Sequence, residues 1–223
     1  LNPGKKGLRV DPNILDDALS LNIKHAGVDI PTQRFFGNGI NYTYESKTYK
    51  INKELIDQLD AEVKRLSDSG VAVTAILLNA WNQTVPELNP LGVTELPKEQ
   101  AVYYGFNVES EAGFRAVKAM ASFLAKRYNG KNGHGKITNW VVGNEINNQY
   151  WNYMGDYDVS AYTVRFQRAF RVFYTAMKSV SANDNIMFSL DHYWNMFPEA
   201  APVGKYKGKD IMLAFHNYET NEG

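Results

Sequence analysis

The sequence contains no cysteine, so neither disulfide bonds nor thiol chemistry is available to this protein. This absence leaves the compartment open, because cysteine-free proteins occur in oxidising and reducing environments alike. The sequence also lacks a Gly-rich phosphate-binding fingerprint after its apolar runs, which disfavours a dinucleotide-binding protein. It shows no ligand spacing typical of a metal site either, so we expect no cofactor and no metal.

An excess of charge of one sign is absent too. The 24 basic and 24 acidic residues give a net charge of zero, and no basic stripe could follow a phosphate backbone. No stretch approaches the roughly 20 apolar residues that a membrane span needs. We therefore expect neither nucleic acid nor a membrane as a partner. Residues 1–4 lack an initiator Met, a basic segment and an apolar segment, so we expect a mature or trimmed chain.

Aromatic residues, in contrast, are abundant. The sequence has 14 Tyr, 11 Phe and 4 Trp, which fits a core rich in rings or a set of platforms on which sugar rings stack. Composition alone leaves both interpretations open.

Apolar runs alternate with helical patterns along the chain. We predict strands over residues 7–10, 23–30, 71–78, 137–142, 186–190 and 211–215. Helical repeats lie within residues 55–66, 114–124 and 162–177, and a β-hairpin over residues 39–51 is inserted in a loop. The strict alternation predicts an α/β fold with a parallel sheet, and we expect one domain over residues 1–223.

Polar side chains collect where the predicted strands end. These positions are Asp29, Asn79, Trp81, Asn144, Glu145, Asp191, His192, His216 and Tyr218. The carboxyl ends of parallel strands form one rim in a (β/α) barrel and line one crevice in an open sheet. Both architectures therefore predict a single polar pocket.

The pair Asn144-Glu145 is the strongest indication of function. It directly follows the apolar run of residues 137–142 and Gly143, where a buried charge without a partner would cost several kcal/mol. A carboxylate in such a place favours an enzyme. The alternative is a simple turn in which Asn144 caps a helix.

Two motifs resemble those of glycoside hydrolase clan A, the retaining (β/α)8-barrel glycosidases. The run from Trp140 to Glu145 resembles the Asn-Glu signature that ends strand four, and His216-Asn217-Tyr218 resembles the His-x-Tyr pattern that ends strand six. Residues 77–82, 143–148, 151–155 and 169–171 also resemble a bacterial family of glycosidase-like barrels of unknown function.

The resemblance implies a retaining, two-carboxylate hydrolysis of a polysaccharide or oligosaccharide. It implies that Glu145 is the acid/base, that Asn144 donates to the sugar 2-hydroxyl, and that His216 and Tyr218 orient the nucleophile. Substrate contacts are expected from Asp29, Asn79, Trp81, Asn147, Trp151, Asp191, His192 and Trp194. We also expect a TIM barrel in a secreted or periplasmic protein, with a carbohydrate as its partner.

The sequence departs from the clan in one important respect. The clan's nucleophile is a Glu that ends strand seven, but the predicted strands stop at residues 211–215, so strands seven and eight are missing. We expect a fragment of a longer enzyme with the nucleophile outside this chain. The alternatives are a shortened fold that uses Glu219 or Glu222, and a non-catalytic carbohydrate-binding barrel.

Several single residues have a plainer interpretation. His216 could be a core histidine, and Trp151 and Trp194 could serve packing alone. We expect His25 to be structural and His134 to be exposed in its Gly-rich loop. A metal site built from Asp191, His192 and His216 has no supporting ligand spacing.

Overall fold

A computed structural model of the chain describes residues 4–198 and 206–221, with side chains up to Tyr218. The strands are β1 (Gly7–Arg9), β2 (His25–Pro31), β3 (Gly39–Tyr44), β4 (Lys47–Asn52), β5 (Ala72–Leu78), β6 (Asn139–Val142) and β7 (Asn185–Met187). The helices are α1 (Leu15–Ser20), α2 (Thr32–Phe35), α3 (Lys53–Asp68), α4 (Glu111–Arg127), α5 (Val159–Lys178) and α6 (Gly208–Asn221).

Five strands form one parallel sheet in the order β1-β2-β5-β6-β7. The longest pairing joins β2 to β5 from His25↔Ala72 to Pro31↔Leu78. Each parallel connection runs through a helix or a long crossover, as parallel pairing requires. Because all five strands run the same way, their carboxyl ends share one edge. Among the described residues the sheet does not close into a barrel.

Helices α3, α4 and α5 cover one face of the sheet and bury the main core. On α3, the side chains of Ile56, Val63 and Leu66 are fully buried, and Asn52 caps the helix by accepting a hydrogen bond from the amide of Leu55 at 3.1 Å. On β6, Trp140 and Val142 point into the same core. This apolar layer fixes where β6 ends, and with it the position of the Asn-Glu pair.

The opposite face of the sheet is polar at its amino end. Asn139, which alternates with the core residue Trp140, donates through Nδ2 to Oγ1 of Thr74 at 3.0 Å. Its Oδ1 accepts a hydrogen bond from Nδ2 of Asn185 at 2.8 Å. These three side chains form a polar ladder across β5, β6 and β7.

The tyrosine-rich segment forms an antiparallel hairpin, β3 paired with β4, from Gly39↔Asn52 to Tyr44↔Lys47. Tyr49 and Ile51 are buried beneath it. The hydroxyl of Tyr42 donates to Ser122 on α4 at 3.1 Å, so the hairpin packs against a helix rather than joining the main sheet.

The strand predicted over residues 211–215 is wrong, because this segment lies inside helix α6. The run Ile-Met-Leu-Ala-Phe is uniformly apolar and short, and its length alone does not distinguish a strand from a helix. In the structure Ile211 is buried beside Tyr162 and Phe166 of α5, while Met212 and Leu213 remain exposed. The sheet of the described residues therefore has five strands, not six.

The other predicted strands differ less from the observed ones. The strand predicted over residues 7–10 is present as β1, which pairs with β2. The predicted strand at residues 186–190 is regular only over Asn185–Met187. The side chains of Glu219 and Glu222, the alternative nucleophiles, lie outside the described part. No helix in that part is both long and apolar enough to cross a bilayer.

We predict that Leu66→Ala lowers the free energy of unfolding by about 2–5 kcal/mol, because it opens a cavity beneath α3. Leu91→Ala is the matched control, since Leu91 is 54% exposed, and we expect a change below about 0.5 kcal/mol. Urea denaturation followed by circular dichroism measures both. Equal losses in the two variants would contradict the assignment of the core.

Candidate active site

The chain turns sharply where β6 ends. Gly143 has φ +72°, and a Cβ there would lie 3.0 Å from Oδ1 of Asn152 and 3.3 Å from Cγ2 of Ile146. Glu145 has φ +44°, which is uncommon for a residue with a side chain. Strained backbone of this kind persists where the surroundings hold it in place.

The segment 145–148 is held by the chain that continues from β7. The amide of Glu145 donates to Oγ of Ser189 at 2.9 Å, and the amide of Ile146 donates to the carbonyl of Ser189 at 3.0 Å. The amide of Asp191 then donates to Oδ1 of Asn147 at 2.7 Å, and Nδ2 of Asn148 donates to Oδ2 of Asp191 at 2.9 Å. Four hydrogen bonds therefore fasten the Glu145 segment to the neighbouring strand end.

A buried tyrosine supports the same segment from α5. The hydroxyl of Tyr162, which is fully buried, donates to the carbonyl of Ile146 at 2.6 Å. It accepts a hydrogen bond from Nδ2 of Asn152 at 2.8 Å. Asn152 is the residue that a side chain at Gly143 would meet, so the turn and its support form one packed unit.

The carboxyl group of Glu145 is the chemically available group of the site. Burial raises the pKa of Glu145, the charge of Asp191 raises it further, and His192 lowers it. Over residues 4–198 and 206–218, no side chain or backbone group makes a hydrogen bond or ion pair with this carboxyl group. A half-buried acid with a raised pKa and unoccupied oxygens can hold a proton and transfer it.

The carboxyl group of Asp191, unlike that of Glu145, is occupied by hydrogen-bond partners. It is 7% exposed, and both of its oxygens are engaged: Oδ2 by Asn148 and Oδ1 by Nδ1 of His192 at 2.5 Å. The His192 side chain itself is 80% exposed. Asp191 is therefore held in place by its partners, one of which is the exposed imidazole of His192.

Aromatic side chains lie on two loops beside the end of β5. Two loops join here through backbone hydrogen bonds, from Gly105 to the carbonyl of Tyr153 and from Tyr153 to the carbonyl of Tyr103, both at 2.9 Å. The rings of Tyr103 and Trp151 stack with centroids 6.0 Å apart, and Trp81 meets Tyr104 edge-on at 5.2 Å. Trp81 and Trp151 thus belong to two groups of rings on loops that these backbone hydrogen bonds join, and we call the two groups together the aromatic cluster.

Two predicted substrate-binding amides are occupied by the protein itself. Nδ2 of Asn79 donates to the carbonyls of Leu88 and Gly105 at 3.1 and 3.0 Å, and its Oδ1 accepts from Thr32 at 2.7 Å. Asn147 is fully buried, and its Oδ1 holds the amide of Asp191. Both side chains are therefore structural, because they are buried and their polar atoms are hydrogen-bonded within the protein.

The remaining predicted residues lie further apart. Asp29 is on β2 and forms an ion pair with Arg9 of β1, while Trp194 is 49% exposed and packs beside Gly208. His216 and Tyr218 lie on α6, with the ring of Tyr218 6.0 Å from the guanidinium of Arg171 on α5. The structure therefore does not place the His-x-Tyr motif at a strand end.

Sequence reasoning missed several residues of the site. Ser189 and Asn148 hold the Glu145 segment, and Tyr103 and Tyr150 extend the aromatic cluster. The tyrosines could have been found from their dense spacing, whereas the role of Ser189 depends on contact across two strands. Among the residues that the structure covers, no three His, Cys, Asp or Glu side chains are grouped so that they could hold a metal ion.

Comparison with solved structures shows the class of fold. The chain is similar to a glycoside hydrolase 5 lichenase from a Caldicellulosiruptor species, solved as a mutant with cellotetraose, with 12% identity and a TM-score of 0.51 over 91% of this chain and 49% of that one. It is also similar to a family 5 glycoside hydrolase from Bifidobacterium longum, with 12% identity and a TM-score of 0.50 over 86% and 41%. These similarities show an α/β fold like that of the TIM-barrel glycoside hydrolases, although the five-stranded parallel sheet of the described residues does not close; the chain spans less than half the length of either neighbour.

The chain belongs to a family of unknown function, DUF5722, whose model matches residues 1–223. No curated protein matches it by sequence.

We predict that Gly143→Ala destabilises the protein more than Gly92→Ala does. Both glycines have nearly the same φ, +72° and +74°, but a Cβ at Gly92 meets nothing within 4 Å. Backbone strain should cost about 1–2 kcal/mol in either variant, and crowding against Asn152 should add about 1–3 kcal/mol at Gly143. Thermal unfolding of the two variants gives the difference. Indistinguishable melting temperatures would argue against the packed turn.

Proposed function

We propose that this chain forms the Glu145-bearing part of a retaining glycoside hydrolase that acts on a polysaccharide or oligosaccharide. The observation that supports this proposal best is the carboxyl group of Glu145. It lies just beyond the carboxyl end of β6, is half-buried, and has its backbone fixed while its oxygens remain available. In a barrel of this class, catalytic groups lie at these strand ends.

The chemistry depends on the raised pKa of Glu145. In the first step the protonated carboxyl group gives its proton to the glycosidic oxygen as the bond to the sugar breaks. In the second step the carboxylate takes a proton from the water that attacks the glycosyl intermediate. We assign to Asn144, half-buried beside Glu145, the hydrogen bond to the sugar 2-hydroxyl, which strengthens in the transition state.

The aromatic cluster is the proposed place for the sugar chain. Rings offer a flat apolar surface to the C–H face of a sugar at low entropic cost. Trp81, Tyr103 and Trp151 are each partly exposed and belong to loops that backbone hydrogen bonds tie together. We therefore assign them to substrate binding.

A retaining mechanism needs a second carboxyl group about 5–5.5 Å from the first. We do not assign this role to Asp191, because its two oxygens are occupied by Asn148 and His192. We propose that the nucleophile comes from a part of the protein outside residues 1–223, where the longer fold relatives continue their barrels. His216 and Tyr218 are left out of the proposed site, since a helix carries them.

We predict that Glu145→Gln in the full-length protein lowers kcat by about 100-fold or more on natural glycans, because general acid catalysis contributes on that scale. Glu62→Gln is the matched control: burial raises the pKa of Glu62 to about 7, but this residue lies on α3 away from the site. We expect its turnover to be unchanged. Reducing-sugar release from a panel of glycans measures both variants.

Two results would contradict the proposal. One is unchanged turnover in Glu145→Gln. The other is saturable glycan binding by the wild-type protein without any product, which would indicate a carbohydrate-binding barrel instead.

We further predict that activity falls as the pH rises through the pKa of Glu145. The group must be protonated to act as an acid, and its pKa lies above the ordinary carboxyl value because of burial and Asp191. On the alkaline side, activity is thus lost as the pH rises above this pKa. A profile of kcat/KM against pH shows the alkaline limb; a rate that stays constant from acidic to strongly alkaline pH would refute the assignment.

A further inference from the structure

A second cavity lies between helices α4 and α5. Its volume is about 520 Å³, which is within the range of pockets that hold small organic molecules. Phe114 and Lys118 of α4 and Val172 of α5 line it, together with Tyr44 at the end of β3. None of its lining residues belongs to the candidate active site, so the proposed hydrolysis does not account for this cavity.

Helix α5, which forms one wall, carries charge of one sign only. It contains three arginines and one lysine but no aspartate or glutamate, although the chain as a whole is neutral. Arg168 and Arg171 are exposed and line the cavity about one helical turn apart. Arg165 pairs with Glu109, whereas neither Arg168 nor Arg171 forms an ion pair with a carboxylate of residues 4–198 and 206–218. The cavity therefore has two guanidinium groups whose charge these residues do not balance.

The third cation of the cavity, Lys118, is already balanced. Its Nζ lies 3.2 Å from a carboxylate oxygen of Glu45, which is 49% exposed. The same Nζ lies 5.2 Å from the ring centroid of Phe114 and 5.7 Å from that of Tyr44. Lys118 thus has both an ion pair and two aromatic neighbours, so the arginines remain as the groups that can receive an anion.

Apart from its cations, the cavity offers mainly carbon surface, from side chains such as Val108 and Val172. The hydroxyls of Thr175 and Ser179 donate to backbone carbonyls of their own helix at 2.8 and 2.7 Å. Oγ of Ser122 already accepts a hydrogen bond from the hairpin at 3.1 Å. Sugar hydroxyls would find few partners on such walls, whereas a hydrocarbon chain would bury apolar surface there.

We infer that this cavity binds an amphipathic organic carboxylate. The carboxylate group lies on the guanidinium groups of Arg168 and Arg171, and the apolar body lies between α4 and α5. A planar guanidinium matches a carboxylate through two parallel N–H···O hydrogen bonds, which a point charge does not provide. This binding is independent of the proposed glycan hydrolysis, because the two sites share no residue.

The test is titration calorimetry of the full-length protein with dodecanoate below its critical micelle concentration. Dodecyltrimethylammonium, which has an alkyl chain of the same length and the opposite charge, is the comparison ligand. We expect saturable binding of one dodecanoate and no saturable binding of the cationic amphiphile.

Variants locate the binding. The double variant Arg168→Gln/Arg171→Gln should weaken dodecanoate binding at least about tenfold, because it removes charge-assisted hydrogen bonds. Lys64→Gln/Arg65→Gln is the matched control: it removes the same charge from α3, where these side chains are 53% and 57% exposed, and should change the affinity less than about twofold. Ala176→Trp places a large ring in the cavity and should abolish binding.

Three results would overturn the inference. They are equal binding of the two amphiphiles, an affinity that the arginine double variant leaves unchanged, and no saturable binding of dodecanoate. The last result is also expected if an acidic segment of the longer protein already occupies the cavity. If Ala176→Trp folds poorly, the double variant and its control still decide, because all four substituted cations are exposed.

Discussion

The site depends on the hydrogen bonds that fasten the segment after β6 to the segment after β7. Parallel strands bring their carboxyl ends together, but pairing alone does not fix the conformation of the loops beyond those ends. Here Ser189 and Asp191 bind the amides and side chains of residues 145–148. These hydrogen bonds stabilise the left-handed backbone conformation of Glu145, which a residue with a side chain otherwise rarely adopts.

Other contacts around the Glu145 segment add to this attachment. The sharp turn at Gly143 lets the chain leave the core, and Tyr162 supports it from α5. The same stretch continues to Tyr153, which pairs with the loop after β5 and fixes the aromatic cluster. One continuous segment thus joins Glu145 to the loop that carries the aromatic cluster.

Much of the architecture could be read from the sequence because its signals are local. The repeat of Leu59, Val63 and Leu66 predicts α3, and the β-branched run before Gly143 predicts β6. The prediction for residues 211–215 failed because five apolar residues fit either a strand or a helix. The contact of this segment with Tyr162 and Phe166 decides in favour of the helix, and such contacts are not visible in a local pattern.

The candidate site was predictable in outline but not in detail. Asn144 and Glu145 stand out because a polar pair ends an apolar run. Asn79 and Asn147 stand out for the same reason, yet their amides serve the protein's own backbone. Only the partners distinguish an amide that meets a ligand from one that supports a turn, and two of those partners, Gly105 and Asp191, lie 26 and 44 residues away in the chain.

The left-handed backbone of Glu145 also limits what evolution can place there. Glycine, asparagine and aspartate enter this conformation readily, whereas β-branched residues are strongly disfavoured in it. Position 145 is therefore constrained twice, once by the proton it is proposed to carry and once by the shape of the chain. A family member that had lost its activity would be expected to drift first towards those three residues, and such drift would leave the surrounding turn intact.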